Sequence, residues 1–465
     1  MKTTRNNSLF TAHLRHLGVA IALAIMSYSS VASAAGFFIP PHGVRAMGRG
    51  GAAVVGVNDL NALWYNPALI AGIDGGLFML DVNVVNQNVR FHRQSRTYDN
   101  GQVLKFDPVS NAAPPMPIPQ MGVAIPLGNG DFVLAAGLFG PNGAASVYPE
   151  KGPQRYTLID TMGSFVVTSE LALGWKVSDW LWLGAGFQNL MMNYKMLASP
   201  SGYPGFVGDA EDPETDILLE VMMESYFNPS ANFGFKILTS VGLELGGSVQ
   251  LPVRLEDKAG KVRHRMPTHP MFANAKMEGE TVSAGFNLPL TLRGGLRYVA
   301  TNWDVELDVV WEQWSTMEKI VMSPNNMKVT GVPGVGEMAL GDFVVPRNYE
   351  DTLSVRLGGE IAVLPEQLSV RAGAMWEQSA VPSSTLSVMQ ADAEKMALSM
   401  GLSYEFTPSF GVDLGYTHVF YRDTMVTDSV MKQLNPANES GTVVVGNGSY
   451  EISADHFGVG LRAGW

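Results

Sequence analysis

From Leu77 onward the chain carries a run of segments in which apolar and polar positions exchange every second residue. That period belongs to a strand with one face in an apolar medium. Segments with this pattern fall near 77–90, 118–127, 131–140, 164–177, 180–195, 230–238, 241–254, 282–299, 302–315, 351–364, 367–378, 396–406, 409–422 and 450–465. Each is long enough for a tilted strand that crosses a bilayer, which needs ~9–11 residues. Their number is even, as closure of an antiparallel barrel asks. The expected fold is all-β: a transmembrane antiparallel β-barrel of about 14 strands, occupying residues 76–465.

The connections sort into two kinds. Lys176-Val177-Ser178-Asp179-Trp180, Ala300-Thr301-Asn302, Val363 to Gln367 and Phe406-Thr407-Pro408-Ser409 are tight and read as periplasmic turns. The segments 91–117, 141–163, 196–229, 255–281, 316–350, 379–395 and 423–449 are long and read as outward loops. Short turns on one side and long loops on the other are the barrel arrangement. In the final segment Phe457, Val459, Leu461, Ala463 and Trp465 alternate with Gly458, Gly460, Arg462 and Gly464. Outer-membrane barrels commonly end on such an aromatic strand, although Phe is the usual last residue. Trp175, Trp180, Trp182, Trp303, Trp311, Trp314, Tyr298, Tyr404, Tyr416 and Tyr421 lie near strand ends, where amphipathic rings form interfacial girdles.

Composition agrees with that picture and narrows it. Only 16 % of the 465 residues are charged, against about 25 % in soluble chains, yet mean hydropathy is just +0.08. Beyond the first three dozen residues no apolar run reaches the ~18 that a spanning helix needs. Lys2, Arg5 and Arg15 precede the apolar run Leu17 to Met26, and Ala32-Ser33-Ala34 supplies small residues for cleavage. Residues 1–34 are expected to be a secretory signal peptide. Its removal takes three basic and no acidic side chains, so the net charge moves from −12 to −15. Such acidity excludes nucleic acid as a partner. The absence of Cys excludes disulfides, thiolate metal sites and Cys nucleophiles.

Residues 35–75 differ from the rest. Glycines crowd them, with Pro40, Pro41 and Pro67, and no period emerges. Such a segment cannot bury a core of its own, so it is expected to pack inside something else. Ala35-Gly36-Phe37 leads into Met47-Gly48-Arg49-Gly50-Gly51-Ala52-Ala53, Asn58-Asp59 and Trp64-Tyr65-Asn66-Pro67-Ala68. This stretch resembles the hatch of the FadL family of outer-membrane long-chain fatty-acid and hydrocarbon transporters, with Asn66-Pro67-Ala68 as its signature. Further matching stretches are Leu288-Pro289 with Trp311-Glu312-Gln313-Trp314-Ser315, Tyr349-Glu350-Asp351-Thr352 with Arg356-Leu357-Gly358-Gly359-Glu360, Arg371-Ala372-Gly373, Ser379-Ala380-Val381-Pro382, and Leu414-Gly415-Tyr416-Thr417-His418. The resemblance implies a 14-stranded barrel plugged by the hatch, in the outer membrane of a Gram-negative bacterium. It implies passive uptake of hydrophobic compounds by a monomer: capture on the outer loops, an internal pocket, and sideways exit near a kinked strand faced by Asn66, Pro67 and Ala68. The implied partners are a long-chain fatty acid or other hydrophobic small molecule, outer-membrane lipid and lipopolysaccharide, and the barrel-assembly machinery. No cofactor and no enzymatic activity are implied. The competing class is a non-transport barrel, a hydrolase or a structural or adhesion protein.

Local chemistry separates these classes. Met191, Met192, Leu218, Leu219, Met222, Met223, Tyr226 and Phe227 form an apolar, Met-rich candidate for ligand capture. Ile217–Tyr226 is expected to be a short helix on an outer loop. A carboxylate would need a cation. Family members often place a basic residue before the Asp-Thr pair, but here Glu350 stands there. Arg155, Lys195 and Arg347 are the candidate substitutes, whereas a neutral hydrocarbon would need none. Gly48-x-Gly50-x-x-Ala53 mimics a dinucleotide fingerprint but lacks a preceding strand. His264 and His269 are too few for a metal site, and nothing resembles a nucleophile elbow.

Overall fold

The computed structural model describes residues 42–142, 145–203, 205, 209–333, 336–435 and 442–465. The expected leader, and Ala35-Gly36-Phe37 after it, lie outside the described residues. Fourteen antiparallel strands close into a barrel. In chain order they are β1 (Leu77–Arg93), β2 (Met116–Leu127), β3 (Phe132–Asn142), β4 (Phe165–Ser178), β5 (Leu181–Ala198) and β6 (Leu218–Leu238). Then come β7 (Leu243–Gln250, resuming at Val253–Arg265), β8 (Thr281–Leu288, resuming at Thr291–Val299) and β9 (Trp303–Glu312, resuming at Lys319–Pro324). The last five are β10 (Phe343–Pro346, resuming at Thr352–Leu364), β11 (Leu368–Glu377), β12 (Lys395–Thr407), β13 (Phe410–Tyr421) and β14 (Gly448–Gly464). Closure is by β1 on β14, in register from Leu77↔Gly464 to Arg93↔Gly448. Among the described residues each of the fourteen strands pairs with two neighbours, as a barrel in lipid requires.

The wall is inside out relative to a soluble protein. On β9, Trp303, Val305, Leu307 and Val309 are exposed, while Asp304, Glu306 and Asp308 between them are 8 %, 0 % and 0 % exposed. Leu171, Leu173 and Trp175 face outward on β4 while Thr168 and Glu170 are buried. Apolar side chains therefore meet the membrane and the charged ones meet each other inside. Among the described residues no helix is long and apolar enough to cross a membrane.

Two expectations about the outer side are corrected. Ile217–Tyr226 is not a helix, because Leu218 opens the 21-residue strand β6. Its amides pair with β5, as in Tyr194↔Met223 and Ala198↔Leu219, and with β7, as in Arg265↔Leu218. Two flanking strands satisfy the backbone that an isolated helix would have to satisfy alone. For the same reason the expected loops 196–229 and 255–281 are in part wall: β6 already begins at Leu218 and β7 runs on to Arg265.

Four neighbouring strands break at one level. The breaks are Leu251-Pro252 in β7, Pro289-Leu290 in β8, residues 313–318 in β9 and 347–351 in β10. Pro252 and Pro289 have no N–H to give a ladder. Above this row wall residues such as Val221, Val262 and Met322 pack with residues of the outer loops such as Leu386 and Met431 in one apolar core.

Candidate functional site

Residues 42–75 occupy the barrel lumen. They form α1 (Val44–Gly48), α2 (Ala62–Tyr65) and a 3-10 turn (Pro67–Gly72). Charge and absence of side chains hold them there. Arg49 is 2 % exposed and binds Asp304 at 2.6 Å and Glu306 at 3.0 Å. The amides of Ala53 and Val54 donate to Asp308 at 2.7 and 3.0 Å, and that of Val55 to Glu306 at 2.6 Å. Opposite them the wall is glycine. A Cβ at Gly373 would stand 2.1 Å from the Arg49 carbonyl carbon, and one at Gly401 would stand 2.9 Å from the Gly48 Cα.

Asn66, Pro67 and Ala68 form one joint of this plug. The Asn66 Oδ1 accepts from the Ala68 amide at 3.1 Å, capping the 3-10 turn that Pro67 begins. The Asn66 Nδ2 donates to the Val54 carbonyl at 2.9 Å and to the Phe235 carbonyl on β6 at 3.0 Å. Gly184 on β5 and Gly234 on β6 leave room for the triplet: a Cβ at either would lie within 2.3 Å of it.

The wall has a seam elsewhere. β2 pairs with β3 from Leu127↔Phe132 only as far as Met121↔Leu138. Beyond that point Met116 to Gln120 keep their β1 partners but have none on β3. β3 also slips against β4 between Phe139 and Asn142. The intervening Gly140-Pro141 combines a residue without a side chain and one without an N–H. The hatch side chains beside the end of the ladder are Leu60, against Gly122, and Leu63, against Gly137. A small apolar cluster of Val85, Met116, Ile118 and Ala145 adjoins the unpaired stretch of β2.

Above the row of strand breaks lie two adjacent cavities. The inner one is a slot of about 30 Å³ lined only by apolar residues, among them Leu219, Val221, Val262, Met277 and Met322. The outer one, about 470 Å³, is bounded by residues including Tyr156, Val345, Pro346, Met389 and Lys432. Met196, Ala198, Phe343 and Leu434 belong to both.

Arg347 sits at this level, 1 % exposed. Its Nη2 lies 2.9 Å from the Met389 Sδ, while Nε and Nη1 have no hydrogen-bond partner. Among the described residues no carboxylate comes within 4 Å of it. Burial draws its pKa below the usual guanidinium value, and the Tyr349 and Tyr194 hydroxyls oppose the shift. Arginine stays protonated in proteins regardless, so the site holds a buried positive charge without a carboxylate partner among the described residues. The other candidate cations are neutralised. Arg155 binds Asp216 at 2.5 Å and the Glu211 carbonyl at 3.0 Å. Lys195 binds Asp160 at 2.8 Å and lies 3.7 Å from Glu220. Glu350 is exposed.

A plugged fourteen-stranded barrel with an apolar upper cavity has clear relatives. The sequence model of the outer membrane transport proteins OMPP1, FadL and TodX matches residues 25–460. The chain belongs to the OMPP1/FadL/TodX family of outer-membrane transport proteins. It is 22 % identical over 427 residues to outer membrane protein P1 of Haemophilus influenzae, covering 86 % of this chain and 89 % of that one. Its fold matches a FadL homologue of Pseudomonas aeruginosa with a TM-score of 0.77 at 17 % identity, covering 92 % of this chain and all of the other. The toluene transporter TodX of P. putida matches with a TM-score of 0.64 at 16 % identity, covering 91 % and 98 %. Members of the family are channels for hydrophobic compounds in the outer membrane, not enzymes.

In this member of the FadL family the eight candidate capture residues do not form one patch. Met192 and Met223 are buried in the core, and Met191 lies on the opposite face of β5 from Met192. Leu219 lines the apolar slot, and Leu218 borders a separate polar hollow with Arg155 and Asp216. Met222 is half-buried. Tyr226 and Phe227 are 53 % and 73 % exposed, where β6 slips against β5. Unforeseen contributors are Val262, Met322, Phe343, Met389 and Leu434, from β7, β9, β10 and two outer loops. Leu60 and Leu63 were equally unforeseen, since only the end of the β2–β3 ladder gives them meaning.

Proposed function

We propose that this transporter takes up long-chain fatty acids, binding the chain in the upper apolar cavities and the carboxylate at Arg347. The carrying observation is the buried Arg347 guanidinium, without a carboxylate within 4 Å among the described residues, which follows Pro346 and touches Met389, two residues lining a cavity of about 470 Å³ next to an all-apolar slot. A neutral substrate would leave that charge buried and unpaired, an arrangement costing several kcal/mol. A carboxylate offers charge-assisted hydrogen bonds worth about 1.5–3 kcal/mol each. Each CH₂ of the chain adds about 0.8 kcal/mol on burial.

In this reading residues 1–34 are removed as a leader, 35–75 act as the hatch and 76–465 form the barrel. The solute leaves sideways through the β2–β3 seam, past Leu60 and Leu63, with Asn66, Pro67 and Ala68 anchoring the moving part of the hatch. Lateral exit returns an apolar solute to hydrocarbon without crossing water. Tyr226 and Phe227, on the outer surface, serve the bilayer interface. Outer-membrane lipid and lipopolysaccharide surround a monomer inserted by the barrel-assembly machinery.

The test compares oleate with oleyl alcohol on protein in lipid nanodiscs. Arg347→Gln should weaken oleate about 10- to 150-fold, the equivalent of one such hydrogen bond, and the alcohol less than about twofold. Equal losses for both, or none, overturn the carboxylate assignment.

A further inference from the structure

We propose that Arg293, on the lumen face of β8, is a second anion station that receives the carboxylate after Arg347 and thereby loosens its contact with Trp64 of the hatch. The proposal rests on the fatty-acid reading above.

The reasoning starts from ion pairing. Among the described arginines only Arg293 and Arg347 are buried without a carboxylate within 4 Å; the other buried ones are salt-bridged. Arg293 is 6 % exposed. Its Nη2 donates to the Gln250 Oε1 at 2.9 Å, a neutral acceptor, and its Nη1 has no partner. The carboxylates that act on it from farther away are Glu312 and Glu170. Both are engaged elsewhere. Glu312 accepts from the Trp314 indole at 3.0 Å and lies 3.5 Å from the Thr352 hydroxyl. Glu170 accepts from the Gln188 amide at 2.8 Å. Arg356, which pairs with Glu377 only at 3.6 Å and whose Nε has no partner, adds positive charge nearby.

Position supplies the order of events. Arg347 lies within the row of strand breaks, and Arg293 lies below it, three residues past Leu290 toward the membrane side of β8. The guanidinium of Arg293 stands 5.6 Å over the Trp64 ring in α2 of the hatch. Trp64 is two residues before Asn66, and the Tyr65 carbonyl accepts from Ser248 on β7 at 2.6 Å. A carboxylate arriving at Nη1 would compete for the charge that now rests on the indole face, a contact worth about 0.5–2 kcal/mol. The anion is thereby read by the element that carries Asn66, Pro67 and Ala68. The chemistry required is a planar monoanion on a long apolar tail, since a carboxylate matches a guanidinium edge and the tail still needs the slot above.

The experiment uses palmitate labelled with ¹³C at the carboxyl carbon, bound to the full chain in nanodiscs and observed by solid-state NMR. Two bound carboxylate resonances are expected. Arg347→Gln should remove one, and Arg293→Gln the other. Arg293→Lys should retain the inner resonance with a shifted frequency, because charge remains without the planar fork. Heat-modifiable migration on gels verifies that each variant is a folded barrel. A single resonance lost in Arg347→Gln and unchanged in Arg293→Gln overturns the inner station while leaving the fatty-acid reading intact. No bound carboxylate in the wild-type protein overturns both.

Discussion

Gly373→Ala should loosen the hatch without disturbing the barrel. The added Cβ would lie 2.1 Å from the Arg49 carbonyl carbon, 2.2 Å from its oxygen and 2.4 Å from the Gly50 nitrogen. Relaxed contacts need about 3.5 Å, so one side must retreat by more than about 1 Å. β11 is held by ladders to β10 and β12, so it will not move. The hatch must, and Arg49 is the residue that binds Asp304 and Glu306. Overpacking costs about 1–3 kcal/mol, and stretching one charged hydrogen bond adds about 1.5–3 kcal/mol if it is lost. A local loss of about 2.5–6 kcal/mol corresponds to amide exchange about 70- to 25,000-fold faster in the hatch. The assay is hydrogen exchange by mass spectrometry on peptides covering residues 44–72 in nanodiscs. Gly294→Ala is the control, since its Cβ would meet nothing within 4 Å. Hatch exchange in Gly373→Ala equal to that in Gly294→Ala would refute the argument that glycine contacts dock the plug.

Other outcomes follow from the same geometry. Deleting residues 36–68 should leave an inserted barrel, read by heat-modifiable migration, but change the uptake of apolar substrates; unchanged uptake would remove the hatch from the transport mechanism. Leu219→Asp places a charge in the all-apolar slot and should weaken oleate and oleyl alcohol alike by more than about tenfold, unlike Arg347→Gln. A selective effect on oleate would mean that the slot does not hold the chain.

Much of the wall was legible in the sequence because its cause is local. Trp303-Asp304-Val305-Glu306-Leu307-Asp308-Val309 states its two environments residue by residue, and the strand follows. The helix expected at Ile217–Tyr226 shows the limit. Val221, Met222 and Met223 are apolar on both sides of the chain, so no period discriminates between helix and strand. The pairing with β5 and β7 decided it.

The candidate site divides along the same line. Residue types alone nominated Arg155, Lys195 and Arg347 equally. Asp216 lies 61 positions from Arg155, and Asp160 lies 35 from Lys195. Nothing in the chain order says that those pairs form or that Arg347 is left without one. Likewise Gly373 and Gly184 look like any strand glycines until the hatch backbone is found against them. By itself, then, the sequence determined that this chain builds a charge-lined, lipid-facing barrel with a glycine-rich head, because alternation and composition act within a few residues. Only the tertiary structure decided which cation stays without a carboxylate partner, where the β2–β3 ladder ends and what the plug leans on. Each of those depends on partners brought together across the lumen by closure of the sheet.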